Sequence, residues 1–499
     1  MRNLRKRFTA ALCAVVMAAA LLPGQVWAEE QAYGLHFEST ALELDDSSVA
    51  LYNADANDTG FIPERDPYFD HVTVARYGRT RLAQEQNGVE LLDVYDALVT
   101  CTTVMNLPQD YVVLKKGVDK DTFALAAQAF RADYPELFWA IPAARYREDN
   151  ESLYIAACLK RWDDFKPDGD GSDAYLANCK KNFLSGIDLL LDGLPAGSDY
   201  DKELYLHDKL IERTRYDDSD WEKQQNAFSV VTEGSGVCAG YAFAFQYLLM
   251  RAGIESYYVQ GQSHNESHAW NLAKIDGQWY YVDPTWDDPR LLLDAETQEM
   301  GQSPYSPHYA YFNITTEMLA EDHIIADAPY NVPLPDCTAT DAFYHRVNDS
   351  IVSADDPDLL SEIAYLLRRD NGVARVYTED DDSSAIKDWF LTEETFQKLV
   401  KELNATYVDS LEVFSSDREM VLVFHGKFDK FIVGELNGQG NIDIRDVQLL
   451  YTYLTTGSTA ESPLSPEEFS KAANVNGDKD GVIDVYDLQL LYEMVNGLV

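Results

Sequence analysis

The chain has 499 residues, of which 46% are hydrophobic, and a formal net charge of −45 at pH 7. This length exceeds what one hydrophobic core supports and predicts three or four domains of about 100–200 residues each. Because phosphate contacts need a basic face, the acidic composition argues against nucleic-acid binding. We interpret the charge as an aid to solubility, with attraction of cationic substrates as the alternative.

The first 28 residues have the pattern of an export signal. Basic residues lie among positions 2–7, residues 10–22 are almost wholly apolar, and a small residue, Ala28, precedes Glu29. The apolar run is shorter than the ~20 residues that a membrane span needs. We therefore expect 1–28 to be a cleaved signal peptide rather than an anchor, and the protein to be secreted without a membrane span.

Five cysteines follow this segment: Cys101, Cys158, Cys179, Cys238 and Cys337. In an exported protein an odd number indicates that one of them is a reactive thiol. Export also permits disulfides among the other four. The sequence leaves open whether they pair or remain buried free thiols.

Residues 29–195 predict an N-terminal α+β region whose role the sequence does not reveal. Helical spacing indicates helices over Val89–Val99, Thr122–Tyr134 and 174–195, and alternation indicates a strand over Ser152–Leu159.

A second region, 196–330, has a clearer pattern. An amphipathic helix is predicted over 201–214, and another helix begins at Cys238 and ends at Gly253. After a strand at Tyr257–Gln260, Asp276-Gly277 predicts a tight hairpin between Trp270–Ile275 and Gln278–Val282.

Cys238 has the setting of a nucleophile. The unpaired N–H groups and the dipole at a helix start favour negative charge, and the thiolate is the attacking species. Small residues at Gly234, Gly236 and Gly240 predict close approach of backbone and substrate. The backbone N–H of Cys238 is a candidate oxyanion donor; the sequence does not mark a second one.

The hairpin supplies the two partners that such a thiolate needs. A turn at Asp276-Gly277 pairs Ile275 with Gln278, which sets Asp283 opposite Trp270 and one diagonal step from His268. We therefore predict His268 as the base and Asp283 as the group that orients it. Taken singly, each residue also has an ordinary structural explanation, such as a buried thiol or a turn before Pro284. His207, on a helix face, and His264, in a polar loop, show no zinc-like spacing with this site.

Three segments resemble the bacterial transglutaminase-like domain: Gly236–Ala242, His268–Asn271 and Val282–Asp287. The segment that follows such cores in the family's sequences is also similar to Tyr311–Asn313 and Asp322-His323. The resemblance implies a papain-like fold in which the family's Cys, His and Asp correspond to Cys238, His268 and Asp283. It implies acyl chemistry without a cofactor: peptide or amide hydrolysis, deamidation, or amide transfer. It does not choose among these reactions.

Residues 338–432 predict a small α+β domain of unassigned role. Asp355 or Asp356 is predicted to cap a helix that has Pro357 at its first position and ends at Gly372. The other predicted elements are a strand at Val373–Tyr377, a helix at Glu393–Asn404, and strands at Leu411–Phe414 and Met420–Phe424.

The tail, 434–499, contains two copies of one unit, 41 residues apart. Each copy is an oxygen-rich loop followed by a helix, and such loops predict a calcium site. The candidate ligands of the first copy are Glu435, Asn437, Gln439, Asn441, Asp443 and Asp446. Those of the second copy are Asn476, Asp478, Asp480, Val482 through its carbonyl, Asp484 and Asp487. A solvated acidic loop without a metal is the alternative.

The tail resembles the dockerin domain, a paired calcium-loop module that binds cohesin domains. The first copy departs from the pattern, because Glu435 and Gln439 replace the usual Asp at positions 1 and 5. Ile444-Arg445 and Val485-Tyr486 stand where the family commonly has small hydroxyl residues. The resemblance therefore implies calcium, more readily in the second loop, and a cohesin-type scaffold or surface protein as partner.

These observations predict an α+β protein. A papain/transglutaminase-like core is flanked by α+β regions and followed by a small all-α calcium-loop module. We expect a secreted thiol acyl-transfer enzyme that acts on peptide or glutamine-type amide bonds, including those of cell-wall peptides. The alternative is an inactive core that serves as a binding or adhesion module, which burial of Cys238 would favour. A glycosidase lacks support, because no carboxylate pair stands out from the acidic background.

Overall fold

The computed structural model of the chain describes residues 36–38, 62–107, 110–114, 118–149, 152–165, 173–219, 224–288, 307–378, 383–415, 418–428, 433–439, 442–475 and 482–496. They divide into two compact units that alternate along the sequence. The first comprises the described parts of Met1–Lys181 with Gln260–Ser267 and Ile325–Leu334; the second comprises Asn182–Val259, His268–Ile324 and Pro335–Val499. The predicted signal peptide lies outside the described residues. No helix within these ranges is both long and apolar enough to cross a membrane.

The first unit contains a four-stranded sheet and helices. Its strands are β1 (His36–Glu38), β2 (Tyr111–Val113), β3 (Ala140–Asp149) and β4 (Ser152–Arg161), in the order β1-β3-β4-β2. Its helices are α1 (Tyr77–Leu82), α2 (Gly88–Thr103) and α3 (Lys120–Asp133), and α4 (Ala174–Leu191) follows along the chain. The predicted elements are present, each a few residues longer or shorter than the pattern indicated.

A buried carboxylate joins the helices of the first unit. No side chain of α1 caps its own N-terminus. Instead Asp133, at the end of α3, accepts hydrogen bonds from the backbone N–H groups of Gly78 (2.9 Å) and Arg79 (2.8 Å) and from the Tyr95 hydroxyl (2.8 Å). Burial raises the pKa of Asp133 to about 6. The long-range cap therefore fixes where α1 begins.

A second group of elements surrounds the predicted thiol site. The helices are α5 (Asp199–Arg213), α6 (Ala227–Glu233), α7 (Cys238–Arg251) and α8 (Thr316–Leu319). The strands are β5 (Arg215–Tyr216), β6 (Ser235–Gly236), β7 (Ser256–Ser263), β8 (Glu266–Ile275), β9 (Gln278–Val282), β10 (Phe312–Ile314) and β11 (His323–Ile325). Five strands form one sheet in the order β10-β9-β8-β7-β11.

The predicted hairpin is present with the predicted register. Ile275 pairs with Gln278, and Asn271 pairs with Val282. Asp276 and Gly277 both have positive φ, at 49° and 87°, which the tight turn requires. The helix predicted from Cys238 begins at that residue and ends at Arg251.

The region from 338 to 432 forms an α+β layer. Its helices are α9 (Tyr344–Val347), α10 (Leu359–Arg369), α11 (Ser383–Phe390) and α12 (Glu393–Glu402). Its strands are β12 (Val373–Tyr377), β13 (Tyr407–Ser415) and β14 (Glu419–Lys427), and they form a sheet in the order β12-β14-β13. The predicted cap was wrong: α10 begins after Asp358, not after Asp355 or Asp356. The Asp356 carboxylate accepts the Asp358 N–H at 2.8 Å and so closes a turn before the helix.

In its described residues the tail contains three helices, α13 (Ile444–Thr456), α14 (Pro466–Ala473) and α15 (Val485–Val495). Asp443 caps α13 and Asp484 caps α15 through the same capping box, as the internal repeat predicts. Leu436, Leu450, Phe469 and Leu491 are buried between the helices.

Candidate active site

Cys238 is the first residue of α7. Val237 precedes the helix in extended conformation and its side chain makes no cap. The first backbone N–H groups of the helix thus have no side-chain cap, and with the helix dipole they favour a negative sulfur at this position. Cys238 itself is 5% exposed.

All five cysteines that the structure describes are free thiols. Cys101 is partly exposed and the other four are buried. Burial raises the pKa of Cys101 and that of Cys337 to about 12. Neither of these two thiols is therefore set up to act as a thiolate near neutral pH.

The glycines around Cys238 accommodate protein rather than substrate. A Cβ on Gly236 would lie 2.4 Å from a methyl of Val230, and one on Gly240 would lie 2.6 Å from the carbonyl oxygen of Gln224. Gly234 ends α6 in the left-handed conformation, with φ of 66°. The close approach predicted from these residues is the packing of α7 against α6 and the segment before it.

His268 and Asp283 meet as the hairpin register predicts. The Nε2 atom of His268, on β8, lies 2.5 Å from Oδ2 of Asp283, which directly follows β9. The side chain of His268 is 9% exposed and that of Asp283 is 1% exposed. The Trp270 ring stacks beside His268, with centroids 5.8 Å apart.

His268 connects the carboxylate to the thiol. Burial alone would lower its pKa, but the charge of Asp283 and hydrogen bonds to Asp283 and Cys238 raise the pKa of His268 to about 10. Because Nε2 faces Asp283, Nδ1 is the atom left to face Cys238. The structure thus brings the three predicted residues together as thiol, imidazole and carboxylate.

Both carboxylate oxygens of Asp283 have hydrogen-bonding partners. Its Oδ1 accepts the backbone N–H groups of Thr285 (2.9 Å) and Trp286 (3.2 Å). Its Oδ2 faces two imidazoles, His268 and His323, the latter at 3.2 Å. Burial would raise the pKa of Asp283, but these two histidines hold it well below its usual range.

Sequence reasoning missed the role of His323. It begins β11, is fully buried, and presents Nε2 to Asp283 and Nδ1 to Asp322. The Tyr311 hydroxyl donates to the other oxygen of Asp322 at 2.5 Å. The sequence signal was the pair Asp322-His323, which resembles the continuation after transglutaminase-like cores but was given no role.

A second buried pair supports the turn that carries Asp283. His207 on α5 places Nε2 3.2 Å from Oδ2 of Asp287. The Asp287 Oδ1 accepts the N–H of Tyr311 at 3.0 Å, and the Asp287 N–H donates to the Asp283 carbonyl at 3.1 Å. His207 thus packs on its helix face, as predicted, but as an ion-paired group. His264 is exposed.

His268, Asp283 and His323 are close enough together to be considered as a metal site. However, Nε2 of His268 lies 2.5 Å from Oδ2 of Asp283. Ligands at about 2.0–2.2 Å from a tetrahedral zinc are more than ~3 Å apart. The observed arrangement is therefore one of hydrogen bonds.

The structure describes part of each predicted calcium loop. Asn441, Asn476, Asp478 and Asp480 lie outside the described residues. In the first loop the buried carboxylate of Asp446 accepts three backbone N–H groups, from Leu436 (2.7 Å), Asn437 (2.8 Å) and Asp443 (2.7 Å). The Gln439 N–H donates to the Glu435 carboxylate at 2.8 Å. Several of the candidate ligands in the first loop are thus engaged in hydrogen bonds.

In the second copy the carboxylate of Asp484 caps α15 through the N–H of Tyr486 at 2.7 Å. Asp487 is buried and accepts the Asp484 N–H at 2.9 Å. Val482 is 55% exposed.

Residues 191–284 match the family model of the transglutaminase-like superfamily. The range includes Cys238, His268 and Asp283. Among curated proteins, the chain is similar to kyphoscoliosis peptidase of Mus musculus, with 27% identity over 157 residues that cover 28% of this chain and 23% of that protein. The chain thus matches about a quarter of the length of this relative.

Two solved structures are also similar in part. One is a TGase, with a TM-score of 0.21 and 16% identity, covering 29% of this chain and 44% of the other. The second is a candidate cysteine protease from Cytophaga hutchinsonii, with a TM-score of 0.19 and 18% identity, covering 28% and 61%. The family match in sequence indicates a transglutaminase-like domain within residues 191–284.

Proposed function

We propose that the chain is a thiol acyl-transfer enzyme that acts on peptide or glutamine-type amide bonds through Cys238, His268 and Asp283. The observation that carries this proposal is the grouping of thiol, imidazole and carboxylate. Cys238 begins a helix, and its thiol helps to raise the pKa of His268. His268 in turn lies 2.5 Å from the buried Asp283.

In the first half-reaction the Cys238 sulfur attacks the carbonyl carbon of the amide. A C–S bond forms, and the carbonyl electron pair moves to oxygen, where the Cys238 N–H is one donor. The His268 imidazolium gives its proton to the leaving nitrogen, the C–N bond breaks, and a thioester remains. Asp283 keeps the His268 imidazole in the correct orientation and stabilises its positive charge in both half-reactions.

In the second half-reaction an acceptor attacks the thioester carbon while His268 takes its proton. The C–S bond then breaks and its electron pair returns to sulfur, which restores the Cys238 thiolate and the His268 imidazolium. Water as acceptor gives hydrolysis or deamidation, and an amine gives a transferred amide. We favour peptide hydrolysis, because nothing in the sequence marks an amine acceptor site.

The first test is the rate at which iodoacetamide labels each cysteine as a function of pH, read by mass spectrometry. We expect fast labelling of Cys238 already at mildly acidic pH, and loss of that labelling in His268→Ala. Cys101 and Cys337 are internal controls, because burial raises their pKa values. Labelling of Cys238 that becomes fast only near pH ~8.5, the ordinary range of a free thiol, would contradict the proposal.

A second candidate function is a binding module without catalysis. The observation that favours it is the low exposure of Cys238, at 5%. A fluorogenic peptide library distinguishes the two functions. Turnover by the wild type that Cys238→Ala lacks supports the enzyme. Absence of turnover, together with labelling of Cys238 only after unfolding, supports the binding module.

The tail supports a second part of the proposal, which is docking of a secreted protein to a cohesin-type partner. Exposed apolar residues repeat at 41-residue spacing on α13 and α15: Ile444 with Val485, and Tyr451 with Tyr492. They line a groove together with Val447 and Leu488. The groove gives an apolar partner two equivalent half-sites.

Calcium in the tail fits the residues present. The buried side-chain oxygen of Asn437 has no hydrogen-bond partner within the described residues. This oxygen is therefore available to bind a metal ion. The second copy has the fuller set of acidic ligands, with Asp484 and Asp487 among them. When bound, the cation would hold the loop closed against the helix that follows.

Calorimetric titration of calcium into the full chain tests this assignment. We expect Asp480→Ala to weaken binding by at least about tenfold, since it removes a charged ligand. Gln439→Ala, at the equivalent position of the first loop, is the matched comparison and should weaken binding less, because it removes no charged ligand. Equal effects of the two substitutions would show that the loops are not distinguished in this way.

A further inference from the structure

The buried histidine His323 shares the carboxylate of the active site. Its Nε2 lies 3.2 Å from Oδ2 of Asp283, the same oxygen that His268 approaches at 2.5 Å. The His323 and His268 rings have centroids 5.4 Å apart. Two imidazoles therefore compete for one oxygen atom.

The surroundings of His323 require it to carry a positive charge. Its Nδ1 faces Asp322, and its Nε2 faces Asp283. Ionised carboxylates only accept hydrogen bonds, so both ring nitrogens must carry protons. Burial would lower the pKa of His323, but hydrogen bonds to Asp283 and Asp322 raise it above the ordinary value.

Carboxylates alternate with hydrogen-bond donors around His323. Asp283 and Asp322 are the charged partners, His268 lies beyond Asp283, and the Tyr311 hydroxyl donates to Asp322 at 2.5 Å. The Trp270 ring covers one side, with its centroid 4.9 Å from that of His323. Asp283 thus lies between two imidazoles, only one of which contacts the thiol.

We propose that His323 is a positioning residue of the acyl-transfer site, which fixes Oδ2 of Asp283 and sets how strongly that carboxylate stabilises the His268 imidazolium. The inference rests on the proposed function. The Nε2–H of His323 occupies one lone pair of Oδ2 and so directs the other toward His268. Its positive charge also partly cancels the field of Asp283, which makes His268 a better proton donor to the leaving amine.

The test is His323→Gln in the full chain, read by NMR titration of the histidine side chains after ¹⁵N-histidine labelling. Glutamine can still donate to Asp283 but carries no charge. Removing a cation about 5 Å away should move the titration midpoint of His268 upward by about 0.5–2 pH units. Asp322→Asn, which removes the outer carboxylate and so weakens the His323 cation, should move it the same way by less.

The matched control is His345→Gln. His345 is also fully buried beside a buried carboxylate, Glu419, and the mechanism does not use it. We expect no shift of the His268 midpoint in this variant, while thermal unfolding reports any general loss of stability. An unchanged midpoint in both His323→Gln and Asp322→Asn, or an equal shift in His345→Gln, would overturn the inference.

Turnover is measured separately on the peptide library, so the two proposals can fail independently. If the wild type is active, His323→Gln should lower kcat with little change in KM, and the alkaline limb of its pH profile should move upward. If the wild type is inactive, the proposed function fails. The NMR shift still decides whether His323 controls His268.

Discussion

Two buried carboxylates of the second unit each lie between two histidines, but only one centre has the features of an active site. Asp283 faces His268 and His323, and Glu419 faces His308 at 2.6 Å and His345 at 3.2 Å. In both centres the histidines hold the carboxylate pKa well below its usual range, although burial would raise it. A buried carboxylate with paired imidazoles is therefore not diagnostic of catalysis.

The Glu419 centre even contains a hydroxyl in the position of a nucleophile. The Oγ of Ser350 lies 2.8 Å from Nδ1 of His345. However, Ser350 is 1% exposed and His345 is fully buried, whereas His268 is 9% exposed. His345 Nε2 is at an ion-pair distance from Glu419 without hydrogen-bond geometry.

The difference lies in what surrounds the two nucleophilic atoms. Cys238 begins a 14-residue helix, whose free N–H groups and dipole favour the attacking anion. Ser350 follows α9 and begins no helix; its own N–H donates to the His345 carbonyl at 2.9 Å. In the Glu419 centre the two histidines take one oxygen each, so they stabilise the fold without competing.

The largest expected effect is a loss of kcat/KM that distinguishes Cys238 from Ser350. Cys238→Ala should lower kcat/KM on the active library peptide by about 10⁴-fold, because it removes the covalent step. Ser350→Ala should leave kcat/KM within about twofold. Comparable losses in both variants would end the distinction between the centres.

The hairpin and the helix start were predictable because they depend on local chemistry. Asp276-Gly277 fixes a two-residue turn, and the register that follows brings His268 to Asp283. The helical spacing of the apolar residues that follow Cys238 placed it at the start of α7. Periodicity and turn type thus predicted where these residues lie, and the family resemblance indicated which of them to choose.

The rest of the site depends on contacts that no local pattern encodes. His323 reaches Asp283 across 40 residues of sequence, and Tyr309 donates its N–H to Glu419 across 110 residues. Gly236 and Gly240 were predicted to admit substrate, but they admit Val230 and Gln224 instead. A glycine signals close approach without identifying what approaches.

The second expected effect concerns the carboxylates. Glu419→Gln leaves buried imidazoles without their charge partner and should lower the free energy of unfolding by about 3–5 kcal/mol. The folded protein should keep its kcat, because Glu419 touches no reacting atom. Asp283→Asn also removes the charge partner of two buried imidazoles and should destabilise the protein too, but in addition kcat should fall by about 10⁴-fold. Turnover, measured beside chemical denaturation on both variants, therefore distinguishes the two centres.

The smallest expected effect per pH unit is a dependence of stability on pH that belongs to the active centre. The pKa of His268 is raised to about 10 from an ordinary 6.5. Between these values the folded state holds a proton that the unfolded state has released. The stability that His268 contributes is thus complete below pH ~6.5 and is lost as pH rises toward about 10, by at most ~1.4 kcal/mol per pH unit.

Chemical denaturation at pH 6, 7, 8 and 9 of the wild type and of His268→Gln measures this contribution as the difference between two curves. The difference cancels other groups that titrate in the same range, including His207, whose pKa is raised to about 9 by Asp208 and Asp287 despite burial. We expect the two curves to converge as pH rises, because the wild type loses the stability that the variant never had. Parallel curves would mean that the Asp283 centre stores no resolvable proton at His268.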